Sequence, residues 1–295
     1  MSPTLSALLQ GCIDYAGLFP PAKLNLHDAI RQFGEIRRSE LKWILNRFII
    51  PVGDLDQLLP ELQTLEAFEW PVTVLGSSLA TLKDDLQAIA DFEVKARKAA
   101  YVEGYEVKAQ PSEVTPQSIA PFKHAEFVEM YIEMGAGEDA IEAMHLLADV
   151  DLLGPKRRTG GLTADAYPSV DTVALFLREA ISLELPHKFT AGLHHPLYHM
   201  DDSVGAMSHG FLNVLAAGVM MDVHSLSLDE IRQILSIDSI GEFRFDEDTM
   251  VVGQWDASLT QIEDYRELNG AFGSCSVHEP LADLFHLGLL SEARA

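Results

Sequence analysis

Pro186-His187-Lys188-Phe189-Thr190-Ala191-Gly192-Leu193-His194-His195-Pro196-Leu197-Tyr198-His199 decides how the rest of the chain is read. Side chains alternate along a strand, so Lys188, Thr190 and Gly192 share one side while Phe189, Ala191 and Leu193 share the other. One face is apolar; the other bears a cation and a hydroxyl. The segment then enters a loop that carries His194, His195 and His199. An apolar face for helices, a polar face turned inward and proton-transfer groups at the C-terminal end describe one strand of a catalytic barrel.

Working outward, strand patterns precede this one at 47–51, 71–76, 101–108, 127–134 and 152–158. Helical patterns alternate with them at 54–67, 79–98, 115–124, 138–149 and 169–184. Downstream come helices at 211–222 and 228–235 and a weak seventh strand at 242–245. A segment at 249–254 could form a hairpin with that strand. A helix at 259–268, an eighth strand at 271–276 and a helix at 280–287 complete the pattern. Eight strands alternating with helices predict an α/β fold, a (β/α)8 TIM-like barrel forming one domain over 1–295. Residues 1–40 are expected to be an N-terminal helical extension packed on it. Within them, 12–22 reads as an irregular apolar loop, with Asp14 and Tyr15 either plugging one end of the core or walling the site. No strand runs into a Gly-x-Gly-x-x-Gly turn, so an open dinucleotide-binding sheet has no positive signal.

The chain has 295 residues, 45 acidic against 21 basic, for a formal net charge of −24. That balance argues against nucleic acid and against an anionic membrane surface, both of which attract Lys and Arg. Two cysteines, Cys12 and Cys275, make no disulfide framework. No signal peptide or membrane span is legible, and a cytoplasmic protein with a small-molecule partner is expected. A homo-oligomer is compatible with the sequence, which does not set its order.

Several expected strands carry charges where a dry barrel would carry only aliphatics. Glu106 and Lys108 flank Val107; Glu129, Tyr131 and Glu133 share a face; so do Lys156 and Arg158, and Lys188 and Thr190. If the apolar faces meet the helices, these charges point into the barrel, where Glu, Lys and Arg must pair to offset their desolvation. Structural ion pairing alone would explain any one of them; the set reads as a site. A lysine beside another cation has its ammonium disfavoured, so Lys188 next to Lys156 is expected to offer a free amine able to attack a carbonyl. Glu133 or Glu106 would carry protons and Tyr131 would donate from its hydroxyl. Arg158-Thr159-Gly160-Gly161 reads either as an anion cradle or as a tight turn. Thr190, His194, His195 and Ser274 are the remaining substrate-binding candidates.

Lys188-Phe189-Thr190-Ala191-Gly192 resembles the Schiff-base strand of the deoxyribose-phosphate aldolase family and its class I relatives. Those enzymes carry Lys, then Thr or Ser two residues on, then Gly, on the sixth barrel strand. Lys156-Arg157-Arg158-Thr159-Gly160-Gly161 is similar to that family's Lys-x-Ser-Gly-Gly run, which there follows the Schiff-base strand and here precedes it. The resemblance implies Lys188 as the imine-forming lysine and Lys156 as its electrostatic partner. Ile13 to Ala22 and Ala191 to Pro196 also resemble strings in bacterial proteins of unassigned function, which implies a family and no activity.

The leading expectation is lysine-assisted, aldolase- or isomerase-like chemistry on a small oxygenated metabolite, anionic or neutral, with no cofactor. The alternative is a metal-dependent hydrolase or lyase, in which His194, His195 and His199, with Asp201 and Asp202, hold a divalent ion. A third reading is a barrel that only binds a ligand. Cys275 with His278 nearby could form a nucleophile pair, although burial as a small apolar residue explains the cysteine as well.

Overall fold

The computed structural model describes residues 1–64, 69–97, 99–269 and 271–290. The expected helix ends at 65–67 and at Lys98 lie outside those residues. Helix α1 (Pro3–Leu9) precedes strand β1 (Ile13–Tyr15), and the chain then alternates through α2 (Leu26–Arg38), β2 (Leu45–Pro51), α3 (Leu55–Thr64) and β3 (Trp70–Leu75). Next come α4 (Leu82–Ala96), β4 (Ala100–Lys108), the short α5 (Pro116–Ile119), β5 (Glu129–Glu133), α6 (Glu138–Leu147), β6 (Leu153–Arg158), α7 (Val170–Ser182) and β7 (Lys188–Thr190). A hairpin, β8 (His199–Asp201) with β9 (Ala206–Ser208), leads into α8 (Phe211–His224) and α9 (Leu228–Leu235). Strands β10 (Phe243–Phe245), β11 (Thr249–Val252) and β12 (Trp255–Ser258) precede α10 (Leu259–Leu268), β13 (Phe272–Ser274) and α11 (His278–His286).

Eight parallel strands close in the order β1-β13-β7-β6-β5-β4-β3-β2, a (β/α)8 barrel. The expected class holds, but two strands change places. The 242–245 segment is not a barrel strand: β10, β11 and β12 form a separate antiparallel sheet. Its place in the closure is taken by Ile13–Tyr15, read from sequence as part of a loop, which pairs with β13 on one side and β2 on the other. Residues 1–40 are therefore not a helical extension. They hold a barrel strand and its following helix α2, and only α1 lies ahead of the barrel. With this correction β6, bearing Lys156, is the sixth barrel strand and β7, bearing Lys188, the seventh.

The helix layer explains the apolar faces. Tyr15, Phe33, Phe48 and Trp70 form an aromatic cluster between the sheet and α2. Phe189 meets Phe176 edge-on, and Phe272 stacks on Phe211 of α8. Alternation then forces Asp14, Arg47, Glu106, Tyr131, Lys156 and Lys188 to the inside.

Candidate functional site

The barrel interior is built from ionised groups in layers. Near the N-terminal ends of the strands, Arg47 lies 2.7 Å from Glu103 and 2.8 Å from Glu129. Above it, Asp14 accepts from the Asn46 amide at 2.8 Å and the Arg47 backbone N–H at 3.1 Å, and pairs with Lys188. Lys188 Nζ is also 2.7 Å from Glu106 Oε1, and it sits over the Tyr131 ring, 5.5 Å from the centroid, where the π face attracts a cation. Glu106 reaches across to Lys156 with its other oxygen, at 2.5 Å. Lys156 is 3.2 Å from Glu133, and Glu133 is 3.2 Å from Arg158 Nε at the mouth. Carboxylates and cations thus alternate from the buried end of the barrel to its opening.

Lys156 and Lys188 stand at the same register position on adjacent strands, which is why sequence reading makes each the other's repulsive neighbour. The carboxylate of Glu106 lies between them and reverses the consequence. Burial alone pushes the Lys188 pKa down, but Asp14 and Glu106 outweigh it, and the net shift is upward. The free Lys188 amine expected from the sequence is therefore corrected to a held ammonium. Glu106 shows the converse. Burial would raise its pKa, but the two lysines bring it down to about 2. Glu133 is also lowered, Lys156 and Arg158 outweighing its burial.

A cavity of about 760 Å³ opens at the C-terminal ends of the strands, where barrel active sites occur. Its floor and lower wall include Glu106, Glu133, Lys156, Arg158 and Thr190, together with Ile49 and Leu75. His194, His195, Gly161, Asp201 and Glu279 form part of the mouth, together with Phe19 and Pro20 from the loop after β1. A second recess, about 360 Å³ between α6 and α7, lies outside the barrel; it is more apolar, and of the interior charges only Lys156 borders it.

Of the expected catalytic residues, Glu106, Glu133 and Lys156 reach the main cavity. Lys188, 1% exposed, lies beneath Glu106, and Tyr131 lies beside it with a buried hydroxyl that has no hydrogen-bond partner among the described residues. Lys108, on the same side of β4 as Glu106, is exposed. Among the expected binding residues, Arg158, Gly161, Thr190, His194 and His195 line the cavity, while Thr159, Gly160 and Ser274 do not. Thr159 is fully buried and its hydroxyl donates to the Ala191 carbonyl, tying the loop after β6 to that after β7. Gly160 packs against Gly192, where a Cβ would come within 2.6 Å of the Gly192 Cα. Ser274 donates to the Ser276 carbonyl at 2.8 Å and so closes a turn. The Arg158 guanidinium gives its Nε to Glu133 at 3.2 Å and one Nη to the Gly160 carbonyl at 3.5 Å, so this run closes a turn.

The histidines are spoken for individually. His194 Nδ1 donates to Glu279 at 3.0 Å, His195 Nδ1 to Asp283 at 2.6 Å and His199 Nδ1 to the Leu197 carbonyl at 2.9 Å. Among the described residues no three His, Cys, Asp or Glu side chains are grouped to hold a metal ion, so the histidine loop does not form the ligand set read from its sequence. Burial raises the Cys275 pKa, which disfavours a thiolate nucleophile. Arg47 is an interior residue that sequence reading did not assign, while Asp14, read as plugging the core or walling the site, pairs with Lys188 across segments 174 positions apart.

Comparison of the chain with protein-family models, curated proteins and solved structures finds no match. No helix among the described residues is long and apolar enough to cross a membrane.

Proposed function

We propose that the protein is an enzyme that forms an imine between Lys156 and a small oxygenated carbonyl compound, leading to aldolase- or isomerase-like chemistry. The observation that carries this reading is the difference between the two lysines: Lys156 borders the cavity, and Lys188 does not. The roles assigned from the sequence are therefore exchanged. Strand order agrees with the exchange, since the resemblance places the imine-forming lysine on the sixth barrel strand and Lys156 occupies that strand.

Glu133, 3.2 Å from Lys156, takes one ammonium proton and leaves a free amine. The amine attacks the carbonyl carbon, and a second nitrogen proton passes to the new alkoxide to give a carbinolamine. Glu133 then returns its proton to the hydroxyl, which departs as water. One ammonium and one carbonyl have become one iminium and one water, with positive charge conserved. Glu106, paired to Lys156 at the start, faces an equal charge at the end, so the site need not reorganise as the imine forms. The iminium is the electron sink for cleaving a carbon–carbon bond or for removing an adjacent proton. Lys188 balances Glu106 and stays protonated throughout.

Borohydride reduction in the presence of a panel of short aldehydes and ketones tests this. A stable mass increment on the peptide containing Lys156, lost in Lys156→Met, is expected. Absence of any increment across the panel would sink the imine, and an equal increment in Lys156→Met would sink Lys156 as the lysine that forms it.

A further inference from the structure

Ionisable groups around the main cavity limit the charge its occupant can carry. On the floor, Glu106 and Glu133 match Lys156 and Arg158 one for one. At the mouth stand two more carboxylates, Asp201 and Glu279, and behind His195 a third, Asp283. Among the described residues the cavity thus presents four carboxylates against two Lys or Arg cations, on a chain whose formal net charge is −24. Lys188 is screened behind Glu106, and Arg158 is already engaged by Glu133. Among the described residues a phosphate dianion would find no Lys or Arg at the cavity that is not already paired with a carboxylate, and would meet negative potential on entering.

The same mouth suits hydroxyl groups. Ionised carboxylates only accept hydrogen bonds, and each has several lone-pair directions. Asp201 accepts from Ser203 at 2.6 Å and from the Tyr167 hydroxyl at 3.1 Å, and these bonds keep its pKa down. Glu279 is fixed against His194. Phe19, Pro20, Leu162 and Val204 line the same cavity and offer an apolar surface for the C–H face of a polyol chain.

Building on the imine reading, we propose that the substrate is an uncharged polyhydroxy aldehyde or ketone rather than a phosphate ester, and that Asp201 and Glu279 determine this specificity. Their carboxylates accept substrate hydroxyls and repel a terminal phosphate.

The test compares paired compounds, glyceraldehyde and ribose against their phosphate esters, by titration followed by protein NMR without reductant. Each uncharged member is expected to bind about tenfold tighter than its ester at low ionic strength, where charges are least screened. The ratio should collapse in the double variant Asp201→Asn, Glu279→Gln. Esters binding as tightly as the free sugars, a preference unchanged in the double variant, or no binding by either class would each overturn the proposal. Selective binding without a borohydride adduct on Lys156 would retire the imine and keep this specificity. Equal labelling of Lys156 by free sugar and ester would do the reverse.

Discussion

Asp14 and Lys188 exemplify how much of this molecule rests on single buried charges. Both are almost wholly enclosed, and each is the other's partner. Removing one member of such a pair leaves an uncompensated ion, at a cost of about 3–5 kcal/mol. Lys188→Met, which takes from Asp14 its paired cation, should lower the unfolding free energy by that amount in urea titrations, and Asp14→Asn by less, because Glu106 still faces Lys188. A surface pair such as Lys95 with Asp56 should cost almost nothing to break. Two groups also set the acid response. His187 is buried, accepting from the Tyr265 hydroxyl at 2.9 Å, and burial lowers its pKa to about 4 from 6.5. The folded state then binds that proton less readily than the unfolded chain, so stability present above pH 6.5 is lost as pH falls towards 4. Glu106, lowered from 4.5 to about 2, adds a further loss across that lower window. Urea midpoints measured at successive pH values should show both limbs, and His187→Gln should flatten the first.

At the scale of elements, β6 and β7 are held together beyond their ends by Thr159 and by the contact of Gly160 with Gly192. Ala191 and Gly192 both have positive φ, 61° and 77°, which turns the chain sharply away from β7 towards the histidine loop. A methyl group at Gly160 cannot be absorbed by a flexible side chain, because what it meets is backbone. Gly160→Ala should therefore push the two loops apart and cost about 1–3 kcal/mol, seen as a lower midpoint in thermal unfolding. The strands that sequence reading found and missed follow the same logic of local signal. Strands β2 to β6 span five or more residues, long enough for a buried apolar run or an alternation to show. β1 has three, all buried, too few for an alternation to show, so 12–22 reads as an irregular apolar loop with Asp14 at the end of the core or the wall of the site. β10, by contrast, alternates Phe243-Arg244-Phe245 with the arginine exposed. That is the mark of a strand wet on one face, as antiparallel sheets allow and barrel strands do not.

Over the whole molecule, the charge excess works against the compact state. With a net charge of −24 the surface repels itself, and added salt screens that repulsion within about 10 Å at 0.1 M. The melting temperature should rise between low and moderate sodium chloride; a fall would mean that the interior ion pairs, not the surface, dominate the salt response. The candidate site was legible in outline because charge on alternate strand positions has few explanations in a barrel. Glu106, Glu133, Lys156 and Arg158 follow from that argument alone. Which lysine faces the cavity did not, because depth along the barrel axis depends on strand stagger, and stagger is set by pairings between distant segments such as Tyr15 with Ser274.

The seam between β1 and β13 has a consequence for biosynthesis. Ile13 pairs early with Leu45 but finds its second neighbour only at Phe272, so the cylinder cannot close until almost all of the chain has been translated. Until then Asp14 lacks the ammonium that pairs with it. Closure is thus a late event that depends on long-range contact, the kind of topology that folds slowly and leaves strand edges uncovered.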